Sequence, residues 1–261
     1  MTLLALENLR RCYASVDELL GELGDQEWQV ASLCPAWDVR GVVGHLGAVE
    51  HMLLGEAPGS MTESIPFAKA GEWLASVHGL SDADFLDRYR AVIEARLAEL
   101  ATLTDDQLER PSLTPVGPGT YGRFMAIRVF DYWVHEQDMR VPLGRPGHES
   151  GPAAEMAIDE IHRSLPYIVG KKIGLPDGMS ITFELTGPVE REMHLRVDGR
   201  AGLVDDLDSP ADVTLVADST TFALLACGRI NPQGPVDDGR VTWSGADDWG
   251  ERTARNLAFT M

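Results

Sequence analysis

The chain has 261 residues, of which 44% are hydrophobic and 24% charged, so it is long enough for one large or two modest domains with ordinary cores. Its 41 acidic residues outnumber its 22 lysines and arginines, and the formal net charge of −19 repels phosphate backbones and anionic lipid surfaces. Nucleic acids and membranes are therefore poor partners, and neither is expected.

Three features of the sequence predict a cytoplasmic protein. The cysteines Cys12, Cys34 and Cys227 show no ligand or disulfide spacing, as expected for a reducing compartment. The segment 1–20 carries charged residues throughout and does not resemble a signal peptide. No apolar run reaches the roughly 18 residues that are needed to cross a bilayer. The strong negative charge also favours a monomer or a small homo-oligomer.

Apolar residues at helical spacing predict four helices in the first part of the chain. Asp38 and Ser81 stand where N-caps are expected, directly before the second and third helices. The predicted helices cover residues 3–20, 39–55, 81–100 and 121–139. The segments 55–70 and 111–120 contain prolines and glycines and are predicted to be irregular. Four helices with one long connection form a bundle.

After the fourth helix the pattern changes. A fifth helix is predicted over 153–165, with a break or kink at Pro166. Alternating residues then predict four strands, two more helices and a hairpin turn at 187–190. The predicted strands are 179–185, 194–197, 213–217 and 241–243, and the helices are 220–227 and 246–259. The sequence therefore predicts an α+β fold, with a helical-bundle domain at 1–170 and a small α+β domain at 171–261.

Two of the predicted helices carry side chains that ligate metals. His45 lies on the same helical face as Val42 and Met52, so it is expected to face the core. Asp131 and His135 are four residues apart and share a face of the 121–139 helix. Together they would form a site for one divalent metal. The pattern alone also allows a hydrogen-bonded core histidine and a simple ion pair.

The segments around these residues resemble a known enzyme family. The run CPAWDVRGVVGHL at 34–46, followed by DYWVHEQD at 131–138, resembles the maleylpyruvate isomerase family of mycothiol-dependent enzymes, a branch of the DinB-like bundles. The run LLACGR at 224–229 and VTWSG at 241–245 resemble the C-terminal domain of that family, which is sterol-carrier-like. The resemblance covers nearly the whole chain. It implies a DinB-like four-helix bundle followed by a small α+β domain.

The resemblance also implies a cofactor and ligands. It implies one divalent metal, zinc in the isomerase itself, held by His45, Asp131 and His135, with mycothiol as the thiol cosubstrate. The isomerase has Glu where this chain has Asp131, which is one methylene shorter. An open position on such a metal would bind a thiol as its thiolate near neutral pH.

Three more residues are candidates for roles near the metal. Asp138, one turn after His135, would orient a ligand imidazole or a water, or else is a partly exposed helix carboxylate. Arg229 would contact a substrate carboxylate or the thiol cofactor as a catalytic and cofactor-binding residue, or else is a surface arginine. Arg128 would pair with Asp131 or Asp138, and such a pair favours a structural role.

Two functions follow from these expectations. The first is an enzyme that uses a metal-bound thiolate to isomerise a maleylpyruvate-like conjugated acid or to transfer sulfur to an electrophile. The second is a non-catalytic protein that binds a small molecule, with a structural metal or none. All three ligand positions carry competent side chains, and this completeness favours the enzyme.

Overall fold

A computed structural model describes residues 2–260, and contacts between residues divide the chain at Pro146 and Gly147 into an N-terminal and a C-terminal unit. The domain boundary that the sequence predicts, after residue 170, lies later in the chain than this division. The difference arises because the helix Pro152–Tyr167 contacts strands and helices of the C-terminal unit. The end positions of the predicted domains, 1 and 261, lie outside the described residues.

The N-terminal unit contains a four-helix bundle, as the sequence predicts. Its elements are α1 (Thr2–Gly21), a 3₁₀ turn (Glu27–Gln29), α2 (Val39–Leu53), α3 (Phe67–Val77), α4 (Asp82–Leu100), α5 (Asp105–Leu108), β1 (Pro111–Thr114), β2 (Gly117–Thr120) and α6 (Tyr121–Leu143). In the bundle, α1 and α2 each contact both α4 and α6. The apolar faces of these helices form its core, which includes Leu9, Val16, Val42, Leu46 and Phe85.

Side-chain caps fix where the helices of the site begin. The Asp38 carboxylate accepts a hydrogen bond from the Gly41 N–H at 2.7 Å, so α2 begins at the residue that the sequence predicts. Thr120 caps α6 in the same way, accepting from the Arg123 N–H at 3.1 Å. These caps set the position of every later side chain on the two helices.

Helix α3 and the β1–β2 hairpin were not predicted. The prolines and glycines of 55–70 and 111–120 indicate loops, but α3 begins inside the first segment and the hairpin occupies the second. Helix α3 packs closely on α2 because Gly47 has no Cβ, which would overlap the Trp73 ring. Only one side of α3 is buried, and Phe67 and Leu74 stay exposed.

The C-terminal unit is an α+β domain, as predicted. It contains α7 (Pro152–Tyr167), a π-helical turn (Ile168–Ile173), β3 (Ser180–Thr186), β4 (Arg191–Asp198), β5 (Arg200–Val204), β6 (Val213–Asp218), α8 (Ser219–Ala226), α9 (Gln233–Asp237), β7 (Val241–Gly245) and α10 (Asp247–Arg255). The sheet order is β5-β4-β3-β6-β7, in which only β3 and β6 pair in parallel. Strand β5, which was not predicted, follows a turn at Gly199 with φ of +64°.

None of the helices within residues 2–260 combines the length and the apolar character that crossing a membrane requires.

Candidate metal centre

The structure brings His45 of α2 together with Asp131 and His135 of α6. His45 Nε2 lies 3.4 Å from Asp131 Oδ2, and His135 Nε2 lies 3.6 Å from Asp131 Oδ1. The ligand atoms of the three residues all lie within 4.8 Å of one another. Two ligands held at roughly 2.0–2.1 Å by a tetrahedral ion are about 3.3–3.4 Å apart. The spacing and the donor types therefore fit a divalent cation such as zinc.

One side of this cluster is open to solvent. The His45 and Asp131 side chains are each 27% exposed, whereas that of His135 is 8% exposed. The Trp37 ring stacks on His45, with ring centroids 5.1 Å apart and planes inclined by 25°. Catalytic metal sites keep a coordination position for substrate or water, whereas structural sites are closed. The partial exposure favours the open type.

Asp138 orients His135 from the buried side. Its carboxylate is fully buried, with Oδ2 lying 2.8 Å from His135 Nδ1 and 3.0 Å from the Cys34 thiol, which donates to it. An imidazole that donates from Nδ1 has its Nε2 lone pair free for a cation. Because the Asp138 side chain is fully buried, the alternative of a partly exposed helix carboxylate is wrong. Cys34, His135 and Asp138 also lie close enough to form a second group able to hold a metal, and this group shares His135 with the first.

Asp131 is also paired with Arg128, one of the two pairings that the sequence leaves open. Arg128 Nη1 donates to Asp131 Oδ2, while its Nε and Nη2 donate to Glu50 Oε1 at 3.0 and 2.9 Å. Burial alone would raise the pKa of Asp131, but Arg128, together with His135 and His45, holds that pKa well below its usual range. Asp131 is thus a carboxylate, the form that binds cations.

Sequence reasoning missed Glu50, which is fully buried between Arg96 and Arg128. Arg96 Nε donates to Glu50 Oε2 at 3.0 Å. Burial would raise the pKa of Glu50, but the two guanidiniums lower it below its ordinary value. A signal was present, because Glu50 falls four residues after Leu46 and three before Leu53 on the buried face of α2.

Arg229 lies in the C-terminal unit, directly after Gly228, which has a φ of +67°. Its Nη1 donates to the Cys227 carbonyl at 3.1 Å. Its role toward a substrate or a thiol stays a prediction.

A cavity of about 600 Å³ adjoins the cluster within the N-terminal unit. His45 and Trp37 form part of its wall, and residues of α3 form another part. Pockets of about 300–1,000 Å³ are typical of sites for small organic ligands. The helix that sequence reasoning missed therefore completes the space beside the candidate metal ligands.

Family models identify both units. A model of the mycothiol maleylpyruvate isomerase N-terminal domain matches residues 9–140, and the model of the corresponding C-terminal domain matches residues 155–255. The chain belongs to the mycothiol maleylpyruvate isomerase family. This confirms the resemblance seen in the sequence and the prediction of an enzyme of this family.

Two solved structures support the fold. Two crystal structures of the mycothiol-dependent maleylpyruvate isomerase, one of them a mutant, match with TM-scores of 0.58 and 0.60 at 15% identity. In both, 92% of this chain aligns with 91% of the other. Sterol carrier protein 2 from Yarrowia lipolytica aligns with 40% of this chain, at 18% identity and a TM-score of 0.30. A search of curated proteins found no match.

Proposed function

We propose that this member of the family is a metal-dependent enzyme that activates mycothiol for attack on an electrophilic carbon. The observation that carries the proposal is the cluster of His45, Asp131 and His135, whose donor atoms lie within 4.8 Å of one another on a partly exposed surface. The cation that we propose is zinc. We place the enzyme in the cytoplasm, as a monomer or small homo-oligomer that acts on small molecules.

Each residue of the site has a proposed task. His45, Asp131 and His135 hold the cation, Asp138 fixes the tautomer of His135, and Arg128 fixes Asp131. When bound, the cation supplies the positive charge that lowers the pKa of a coordinated thiol, so that it is a thiolate near neutral pH. We assign Arg229 a catalytic and cofactor-binding role, to be tested by the effect of Arg229→Ala on KM for mycothiol.

The reaction begins the same way for both outcomes that the sequence allows. The thiolate forms a C–S bond with a carbon of a conjugated double bond, and the π electron pair moves to the conjugated carbonyl oxygen. In isomerisation, the single bond rotates, the pair returns and the C–S bond breaks, which regenerates the thiolate. In S-transfer, the adduct instead takes up the proton that the thiol released. No oxidant or reductant is needed.

The test is the metal content of the purified protein by elemental analysis. Wild type, His45→Ala and His135→Ala would be compared with His51→Ala, a control on the same helix α2 but outside the cluster. We expect one zinc per chain in wild type and in the control, and none in the two cluster variants. Calorimetry should then show mycothiol binding only to the loaded proteins. Equal metal content in all four proteins would contradict the proposal.

A further inference from the structure

The cavity beside His45 has an apolar wall, and this wall bears on what the enzyme can bind. Val49 and Met52 of α2 and Phe67, Leu74 and Val77 of α3 line it. The side chains of Phe67 and Leu74 are 67% and 45% exposed, a large apolar area to leave in contact with water. Concave apolar surfaces of this kind are typical of ligand sites.

The charged groups of the wall are already paired. Arg40 donates to the Asp82 carboxylate and to the Leu80 carbonyl at 2.8 Å, and its guanidinium lies over the Phe85 ring, 4.2 Å from the centroid. Asp38 adds a negative charge where it caps α2. Among the described residues that line the cavity, Arg40 is the only arginine or lysine. The other basic side chains of the lining are the imidazoles of His45 and His78. A dicarboxylic acid would therefore lose its hydration here without meeting an unpaired guanidinium or ammonium group.

The proposed metal centre does not supply the positive charge that the wall lacks. A divalent cation brings two positive charges, while Asp131 and a bound thiolate bring one negative charge each. Arg128 shares Glu50 with Arg96, and the positive charge left over is offset by Asp138 beside the cluster. Once the thiol is bound, the centre has no surplus positive charge that would draw an anionic substrate into the cavity.

We infer that the electrophile is uncharged and largely apolar, an aryl or alkyl α,β-unsaturated ketone in chemical class, and that it lies in the cavity between α2 and α3. This inference rests on the proposed function for the chemistry, but the binding preference comes from the cavity alone. It predicts discrimination against the maleylpyruvate type of conjugated acid.

The experiment compares two probes that differ by one carboxylate. The first is 4-phenyl-2-butanone, which has no double bond for a thiolate to attack, and the second is the same ketone with a carboxylate on the ring. Dissociation constants would be measured on the zinc-loaded full chain saturated with mycothiol, so that the centre has no surplus positive charge, by the change in tryptophan fluorescence, because Trp37 lines the cavity. We expect the uncharged probe to bind about tenfold or more tightly than the carboxylate.

A charge variant tests whether the preference arises in this cavity. Leu74→Arg places a cation in the wall, and because Leu74 is 45% exposed the substitution does not bury a charge. Leu4→Arg is the matched control, 48% exposed on α1 and outside the cavity. Leu74→Arg should tighten binding of the carboxylate probe about tenfold relative to the uncharged one, and Leu4→Arg should leave the ratio unchanged.

The outcomes separate this inference from the proposed function. Tighter binding of the carboxylate by wild type, binding of neither probe, or equal ratios in the two arginine variants would overturn the inference. If zinc and mycothiol still bind in those cases, the proposed function stands. If the chain holds no zinc but keeps the preference for the uncharged probe, the proposed function fails and the ligand class stands.

Discussion

Helices α2 and α6 carry two polar clusters that differ in how their charges are satisfied. The charge cluster consists of Glu50, Arg96 and Arg128, with Arg96 contributed by α4, and all three are at most 3% exposed. The ligand cluster consists of His45, Asp131 and His135, two of which are 27% exposed. In the charge cluster an anion lies between two cations. In the ligand cluster the facing atoms of all three residues can act as acceptors, an arrangement that a proton or a cation stabilises.

The difference distinguishes a scaffold from a site. A buried carboxylate is tolerated where guanidiniums complete its hydrogen bonds, and the charge cluster meets that condition. The ligand cluster has acceptor capacity that the protein leaves available for a ligand. Arg128 joins the two, because it donates to both Glu50 and Asp131. The closed cluster therefore holds the open one in place.

The largest expected effect is on stability, from Glu50→Gln. The variant keeps the shape of the side chain but leaves two buried guanidiniums without their shared anion. Removing one partner of a buried ion pair costs about 3–5 kcal/mol. The free energy of unfolding from urea denaturation measures this. Glu99→Gln is the control, since Glu99 also pairs with Arg96 but is 39% exposed, and we expect about 1 kcal/mol or less. Equal losses in both variants would contradict the contrast between the clusters.

Acid should remove the stabilisation that ionised Glu50 gives to the folded protein. The pKa of Glu50 is lowered in the folded protein relative to its ordinary value of 4.5. The stabilisation is therefore complete above that pH and is lost as the pH falls through the folded pKa. The difference in free energy of unfolding between wild type and Glu50→Gln should be constant from neutral pH down to about 4.5, then shrink. A difference that grows on acidification would have the wrong sign.

Much of the fold could be predicted because local signals decide it. Asp38 and Ser81 mark their helices by a hydrogen bond that each makes within its own first turn. Helix α3 lacks such a mark, since Pro66 precedes it without a side-chain cap and its position depends on the meeting of Gly47 with Trp73. That contact joins two helices, so the periodicity of residues 67–77 alone does not reveal it.

The candidate site also has features that the sequence predicts and features that it does not. The spacing of Asp131 and His135 is visible in the sequence because one helix face carries both. The burial of Glu50 depends on Arg96 and Arg128, which lie 46 and 78 residues away in the chain. A glutamate on an apolar face is a usable signal, but its two partners are identified only when the helices pack.

Asp138→Asn should affect the ligand cluster without opening the charge cluster. The amide still accepts from His135 Nδ1 but carries no charge, so the imidazole becomes a weaker ligand. Loss of such a partner lowers metal affinity by about 10- to 100-fold. Competition with a chelator measures the change. Asp17→Asn, at an exposed carboxylate paired with Arg90, is the control and should leave the affinity unaltered. Unchanged zinc affinity in Asp138→Asn would remove its proposed orienting role.

The smallest effect is expected from Cys34→Ala, which decides between the two groups that share His135. If the cation lies at Nε2 with His45 and Asp131, the Cys34 thiol donates to Asp138 and is not a ligand. The variant should then keep its zinc, with a smaller loss of affinity than Asp138→Asn.

The cobalt-substituted wild type, before a thiol is added, should show no sulfur-to-cobalt charge-transfer absorption. If the cation instead lies at Nδ1 with Cys34 and Asp138, that absorption is present and Cys34→Ala removes the metal, whereas His45→Ala retains it. Because a coordinated His135 cannot also donate from Nδ1 to Asp138, the second result would reassign the hydrogen bond that orients the ring.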